Sequence, residues 1–232
     1  MTDKSNIEAL HPLLQQALVS RSAVFNMDCI ELMKQVPNKF FNLAIVDPPY
    51  GVRDKWKTGG VSKHTRFDTE RKMAEWDIAP DKSYFDELRR VSKNQIIWGA
   101  NHFPEQMMFS RCWIVWDKLT GDNGYGDCEL AYTSFDRPIK KYTRFWLGAH
   151  AKEKEDEKRI HPTQKPISLY EWILKEFASE GDLILDTHLG SGSSRIAAYK
   201  NGYTFIGCEL DTKYFEQQEA RFKNFTAQTT LW

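Results

Sequence analysis

Leu183-Ile184-Leu185-Asp186-Thr187-His188-Leu189-Gly190-Ser191-Gly192-Ser193-Ser194, closed by Tyr203-Thr204-Phe205-Ile206-Gly207-Cys208-Glu209, is the stretch whose reading decides the fold. A short apolar run ending in an acid reads as a buried strand, the glycine-rich turn after it opens a helix, and a second apolar run returns as another strand. Strand, helix and strand in that order build a parallel sheet. Gly190 and Gly192 let a ligand approach the backbone closely. Glu209, at the end of the second strand, is an acid placed to accept both hydroxyls of a ribose. A nicotinamide or flavin site is the competing reading, because Gly190-Ser191-Gly192 followed by an acid about 20 residues later partly meets the dinucleotide fingerprint. It fails at the third glycine, where Arg195 stands, and nothing else in the chain suggests hydride chemistry.

Far upstream, the apolar run Leu43-Ala44-Ile45-Val46 ends in Asp47-Pro48-Pro49-Tyr50. The tetrapeptide sets an acceptor carboxylate, two imide carbonyls and an aromatic plane side by side. An exocyclic amine on a nucleobase is a poor nucleophile because its lone pair is delocalised into the ring. A carboxylate and a proline carbonyl that each accept one N–H draw that nitrogen toward tetrahedral geometry and free the lone pair. Tyr50 offers a stacking surface for the base, which must leave the duplex to be reached. The plainer alternative is a strand with a firm stop, since proline removes a donor and fixes φ.

With both motifs in view, the chain resembles the S-adenosylmethionine-dependent DNA amino-methyltransferases of the permuted β group. In that family the Asp-Pro-Pro-Tyr motif comes first, target-recognition material follows, and the cofactor motifs close the chain. Here Asp47 precedes His161-Pro162-Thr163-Gln164-Lys165-Pro166, which matches the family's signature ahead of the cofactor half. Asp186 to Gly192 and Glu209 come after it. The resemblance runs from about Val24 to about Phe222. It implies catalytic roles for Asp47, Pro48, Pro49 and Tyr50. It also implies a cofactor site in which Asp186, His188, Gly190 and Gly192 pass the methionine part and Glu209 takes the ribose. Asp28 and Cys29 match a strand end whose Asp meets the cofactor adenine amine, and Lys165 and Pro166 border the methionine tail. The chain departs from the family at Thr187 and His188, where proline and phenylalanine are common, and at Asn26-Met27, where glycine usually precedes the Asp.

Composition is compatible with this. At 232 residues the chain suits one α/β domain spanning 1–232, with little room for a separate recognition domain. Net charge is zero, 32 basic against 32 acidic side chains, so any nucleic-acid contact must come from local clustering. Residues 53–72 hold Arg53, Lys55, Lys57, Lys63, Arg66, Arg71 and Lys72 with Trp56, His64 and Phe67 interleaved. The segment of about 53–78 therefore reads as a loop directly after the Asp47 strand that clamps DNA through Lys55, Lys57, Lys63 and Arg66, with an ordinary solvated loop as the alternative. Lys140, Lys141 and Arg144 form a second basic stretch inside about 137–160, the interval where the family places target recognition. That interval is short, so a short or degenerate target is expected.

Cys29, Cys112, Cys128 and Cys208 are widely separated and indicate neither a zinc site nor a disulfide framework; three of them read as core thiols. No metal is expected. The opening segment lacks a charged leader with a long apolar core, and no window approaches a membrane span, so a cytoplasmic protein is expected.

The coarse pattern is alternating. Strand-like runs stand at 23–26, 43–46, 95–98, 112–116, 129–134, 141–147, 183–185 and 203–208, with helical patterns at 30–36, 83–92, 167–179, 194–201 and 212–224. The fold class is α/β: a Rossmann-like, mostly parallel sheet covered by helices on both faces, with antiparallel strands at one edge. If the order is circularly permuted, Glu209 and Asp28 end neighbouring strands although they lie near opposite ends of the chain. The implied reaction is methyl transfer from S-adenosylmethionine to the N6 amine of adenine in double-stranded DNA, with N4 of cytosine as the alternative. An RNA or protein amine methyltransferase and a silent DNA-binding regulator are the rivals from other classes. A homodimer and a paired endonuclease are left open.

Overall fold

The computed structural model describes residues 15, 19–52, 77–121, 126–146 and 159–229. Among these, eight strands form one sheet: β1 (Ser22–Asn26), β2 (Phe41–Val46), β3 (Ser92–Trp98), β4 (Trp113–Asp117), β5 (Cys128–Thr133), β6 (Lys140–Thr143), β7 (Leu183–Asp186) and β8 (Thr204–Glu209). The helices are α1 (Cys29–Lys34), α2 (Lys82–Val91), α3 (Ile167–Phe177), α4 (Ser193–Lys200) and α5 (Thr212–Thr229). None of them is long and apolar enough to cross a membrane.

Spatial order across the sheet is β1-β8-β7-β2-β3-β5-β4-β6. The first strand in sequence pairs in parallel with the last, Asn26 opposite Glu209, so the two ends of the domain meet as the permuted order requires. β7 pairs in parallel with β8 and β2, and β2 with β3. The antiparallel pairing expected toward one edge is present and is confined to one strand. β5 is antiparallel to both β3 and β4, but β6, the edge strand, runs parallel to β4. A single strand is thus reversed, and it lies inside the sheet. β6 also stops at Thr143, short of the expected 147.

Local chemistry explains the element starts. The Asp28 carboxylate accepts the N–H of Ile30 and Glu31 and caps α1, and Asp81 does the same for Ser83 and Tyr84 at α2. Pro166 stands at the N-cap just before α3, where its missing N–H costs no helical hydrogen bond. The central strands are apolar almost throughout because both faces are covered. Alternate side chains divide between two cores. Phe41, Ala44, Ile97, Leu185 and Ile206 meet Leu32, Phe85 and Leu88 of α1 and α2. Leu43, Ile45, Ile96, Trp98 and Phe205 meet Leu169 and Ile173 of α3 and Ala197 of α4. Cys112 and Cys208 are buried, Cys29 is half-buried and Cys128 is exposed.

Phe205 is fully buried on β8, the strand that joins β1 to the rest of the sheet. Phe205→Ala is expected to lower unfolding free energy by about 3–5 kcal/mol, the range for a phenylalanine deleted from a closed core. A urea titration with an unchanged midpoint would remove β8 from the cooperative core.

Candidate active site

The carboxyl ends of β1, β8, β7, β2 and β3 open on one edge of the sheet, and the acids singled out in the sequence line it. On the cofactor side, Glu209 Oε2 accepts the Gly190 N–H at 2.8 Å and Oε1 accepts that of Asp211 at 2.9 Å. Burial raises the Glu209 carboxyl above its ordinary range. Gly190 and Gly192 have φ of +50° and +72°, a conformation that suits glycine. A β-carbon at Gly190 would stand 3.5 Å from the His161 ring, so that ring closes one side of the turn. His161 in turn meets Tyr214 edge-on at 4.3 Å, and burial with Arg159 and Lys165 nearby depresses it to about 4. Asp186 accepts from Ser194 Oγ at 2.5 Å and from the His188 N–H at 3.0 Å, yet burial still lifts its carboxyl to about 7. Asp28 ends β1's connection two residues beyond Asn26, and both of its cap bonds fall on Oδ1. Cys29 opens α1, and burial beside Asp28 pushes its thiol up to about 12.

The two departures from the family are packed together. Thr187 Oγ1 lies 2.7 Å from the Tyr84 hydroxyl of α2 and 3.0 Å from His188 Nδ1. The His188 ring stands edge-on to Tyr84 at 5.3 Å, and burial lowers it to about 4, a neutral imidazole. Tyr84 therefore fastens this turn from the opposite layer, a role no motif announces.

On the acceptor side, Asp47 follows the last residue of β2. Its Oδ1 accepts the Tyr50 hydroxyl at 2.7 Å and its Oδ2 accepts Lys165 Nζ at 2.6 Å. Lys165, expected beside the methionine tail, is directed here, with its side chain only 3% exposed. The same ammonium lies 3.0 Å from Glu129 Oε2 on β5, and Glu129 is paired on its other side with Lys118. Burial works against the Glu129 charge, but Lys165 and Lys118 outweigh it and hold the carboxyl down to about 2. For Lys165 burial would favour the neutral amine, but Asp47 and Glu129 prevail and raise it above the ordinary lysine value. A rigid turn delivers the ammonium: Gln164 accepts the Ile160 N–H through its side chain at 3.0 Å and the Trp146 indole N–H through its carbonyl at 3.2 Å. Pro166 then begins α3.

Tyr50 is stacked on His102 at 4.8 Å and 16°, with Phe103 edge-on at 6.4 Å. Its ring lies against Gly99, where a β-carbon would come within 2.1 Å of Cε1 and where φ is +65°. Burial, then the neighbouring Asp47, pushes the Tyr50 phenol well above its ordinary value. Immediately after Tyr50, the N–H groups of Gly51 and Val52 donate to the two oxygens of Asp77 at 2.9 and 2.8 Å. The chain on either side of 53–76 is thus clipped together at the site. Lys55, Lys57, Lys63 and Arg66 lie outside the described residues.

The second basic stretch sits on edge strand β6. Lys140 is opposite Ile114, at the amino-end side of the sheet, and pairs with Glu176 at 2.9 Å. Lys141 pairs with Asp117 at 2.8 Å, while Arg144, just past the carboxyl end, donates to Ser168. Arg144 lies beyond the carboxyl end of β6, and the Lys141 ammonium reaches the carboxyl end of β4 at Asp117, whereas Lys140 is tied back to Glu176.

Known proteins share the sequence pattern and the fold. A family model for N6 and N4 methyltransferases, described as DNA methylase, matches residues 126–220. The type II methyltransferase M1.MboII of Moraxella bovis is 24% identical over 251 residues, covering 84% of this chain and 94% of that protein. Among solved structures, TTHA0409 of Thermus thermophilus complexed with S-adenosyl-L-methionine aligns with a TM-score of 0.55 at 17% identity, covering 87% of this chain and 95% of that one. The PvuII DNA methyltransferase, cytosine-N4-specific, aligns with a TM-score of 0.56 at 12% identity, covering 88% and 90%. At such identities the two structures establish the fold. Family model and relatives make the chain similar to the S-adenosylmethionine-dependent DNA methyltransferases, in keeping with its motif order.

Proposed function

We propose that this enzyme methylates the N6 amine of adenine in double-stranded DNA, with Asp47, the Pro48 carbonyl and Tyr50 as the groups that meet the base. The observation that carries the reading is Asp47 at the end of β2, held by an ammonium on one oxygen and a displaceable phenol on the other. Bound S-adenosylmethionine supplies an electrophilic methyl: the amine lone pair forms the new N–C bond, the C–S electron pair leaves with sulfur, and the nitrogen then loses one proton to water.

The protein's part is placement and electrostatics. The Tyr50 hydroxyl gives up Asp47 Oδ1 to an amine N–H, and the freed ring stacks on the flipped base. Acceptance by Asp47 gains most as the nitrogen turns tetrahedral, so the carboxylate favours the transition state over the ground state. For the cofactor, Glu209 suits the ribose because each oxygen bonds one backbone N–H and keeps further acceptor capacity. Asp28 offers Oδ2 toward an adenine amine while Oδ1 caps α1. Cys29, Pro166, Asp186, His188, Gly190 and Gly192 complete the proposed lining, with the His161 ring closing over Gly190. Lys55, Lys57, Lys63 and Arg66 are proposed phosphate contacts, and Arg144 is the member of the second stretch best placed to reach DNA.

The choice of adenine rests on the resemblance, in which Asp at the first motif position goes mostly with adenine and Ser mostly with cytosine. The fold does not discriminate, since the PvuII enzyme shares it and is cytosine-N4-specific. Incubation with unmethylated duplex DNA and cofactor, digestion to nucleosides and mass analysis should yield N6-methyladenine. N4-methylcytosine as the dominant product would overturn the substrate assignment and leave the cofactor residues standing.

Two substitutions separate binding from chemistry. Glu209→Ala is expected to weaken S-adenosylmethionine binding by about 1–3 kcal/mol, the scale of hydrogen bonds to a charged acceptor. Calorimetry on a folded mutant that shows unchanged affinity would sink the ribose assignment. Asp47→Ala should keep cofactor affinity while turnover falls by roughly a hundredfold or more, as when a transition-state hydrogen-bond partner is lost. Near-normal turnover would remove Asp47 from the mechanism.

A further inference from the structure

We infer that Lys165 and Glu129 are positioning residues for the methyl transfer: Lys165 fixes Asp47 by one oxygen, and Glu129, bridged to Lys118, fixes Lys165. This rests on the proposed role of Asp47. Glu129 belongs to no motif. It reaches the site because β5, the one reversed strand, brings its first residues beside the carboxyl end of β4, Glu129 opposite Trp116.

The geometry is that of a charged ladder running inward. Lys118 meets Glu129, Glu129 Oε2 is 3.0 Å from Lys165 Nζ, and Lys165 Nζ is 2.6 Å from Asp47 Oδ2. The ammonium also lies 5.3 Å from the Trp98 ring and 5.9 Å from that of Tyr50, so aromatic faces enclose the side not taken by carboxylates. An acceptor in such a place must be ionised and must not rotate. Lys165 serves both needs, because a hydrogen-bonded cation favours the charged carboxylate and leaves only Oδ1 to exchange partners. A proton-accepting base would be poorly served by an adjacent ammonium, whereas a fixed hydrogen-bond acceptor is well served.

Among the described residues, the ionisable groups facing Asp47 are Tyr50 on its own loop, Lys165 ahead of α3, Tyr170 on α3, Glu129 on β5 and Asp186 at the end of β7. Lys165 is the one cation among them. Without it Asp47 loses its cation and Glu129 keeps only Lys118, so the charged acceptor is less well held.

The test is single-turnover methyl transfer from radiolabelled S-adenosylmethionine to unmethylated duplex DNA, followed from pH 5.5 to 9 for wild type, Lys165→Met, Lys165→Arg, Glu129→Gln and Asp47→Ala. Lys165→Met should be slower by roughly a hundredfold at neutral pH, the effect of a misplaced reacting group. Its rate should climb with pH along a new acid limb absent from wild type. Lys165→Arg should recover part of the rate and lose that limb. Glu129→Gln should lower the rate while leaving the DNA KM and S-adenosylhomocysteine affinity as in wild type. If Lys165→Met does not fold, Glu129→Gln and Lys165→Arg decide between these outcomes by rate alone. Wild-type rates and pH profiles in the Lys165 and Glu129 variants, with Asp47→Ala inactive, would overturn the positioning role. Full activity of Asp47→Ala would overturn the reading on which it rests.

Discussion

Parallel strands cannot be joined by tight turns, and each must return through a crossover before the next begins. Their carboxyl ends therefore all open on the same edge. Here five neighbouring strands, β1, β8, β7, β2 and β3, run one way. At or just beyond their ends stand, in spatial order, Asp28, Glu209, Asp186, Asp47 and Gly99. Four acids in a row are a liability unless each is compensated, and each is compensated differently. Asp28 caps a helix, Glu209 accepts two backbone N–H groups, and Asp186 takes a hydroxyl and a backbone N–H. Among the described residues, only Asp47 of the four receives a cation.

That difference orders the site electrostatically. Asp186, compensated by neutral donors alone, is pushed up to about 7 by burial. Glu129, half-buried and set between Lys165 and Lys118, is held near 2 although desolvation works against its charge. Desolvation acts on both, so the neighbouring cations account for the divergence. On the proposed cofactor site, a cationic cofactor beside Asp186, Asp28 and Glu209 meets acids without ammonium partners among the described residues, while Asp47 keeps its own counter-charge. The edge is thereby divided into a half that welcomes positive charge and a half that has already neutralised it.

What could be read from the residues was what depends on local pattern. A strand ending in Asp186 with Gly190 and Gly192 after it, and a strand ending in Asp47-Pro48-Pro49-Tyr50, announce their positions because strand, turn and cap chemistry act over a few residues. The meeting of β1 with β8 followed from motif order, and the pairing of Asn26 with Glu209 agrees. Long-range register stayed hidden. Nothing near Glu129 or Lys118 signals a partner, because both acquire meaning only from β5 running antiparallel beside β3 and β4. The same holds for β6, whose parallel pairing with β4 cannot be told from an antiparallel one by composition, and for Tyr84 bridging from α2 to Thr187. Lys165 shows the boundary between the two: its motif was legible, and its direction was not.

Gly99 and Tyr50 carry the remaining step. In the structure Tyr50 both covers Asp47 and lies against a backbone that leaves no room for a side chain, since a β-carbon on Gly99 would overlap the ring. The left-handed φ at Gly99 and the adjoining short turn Ala100–His102 bring His102 onto the other side of the phenol. Tyr50 is thus stored in a fitted slot, with a hydrogen bond to a charged acceptor worth about 1.5–3 kcal/mol. On the proposed reaction an incoming amine replaces that bond with one of similar strength. Unmasking Asp47 then costs little net hydrogen-bond energy, and stacking on the base, worth about 1–3 kcal/mol, offsets the loss of the His102 stack. A carboxylate that was empty and solvated would have to be stripped of water first. Keeping it occupied by its own tyrosine replaces that desolvation by an exchange.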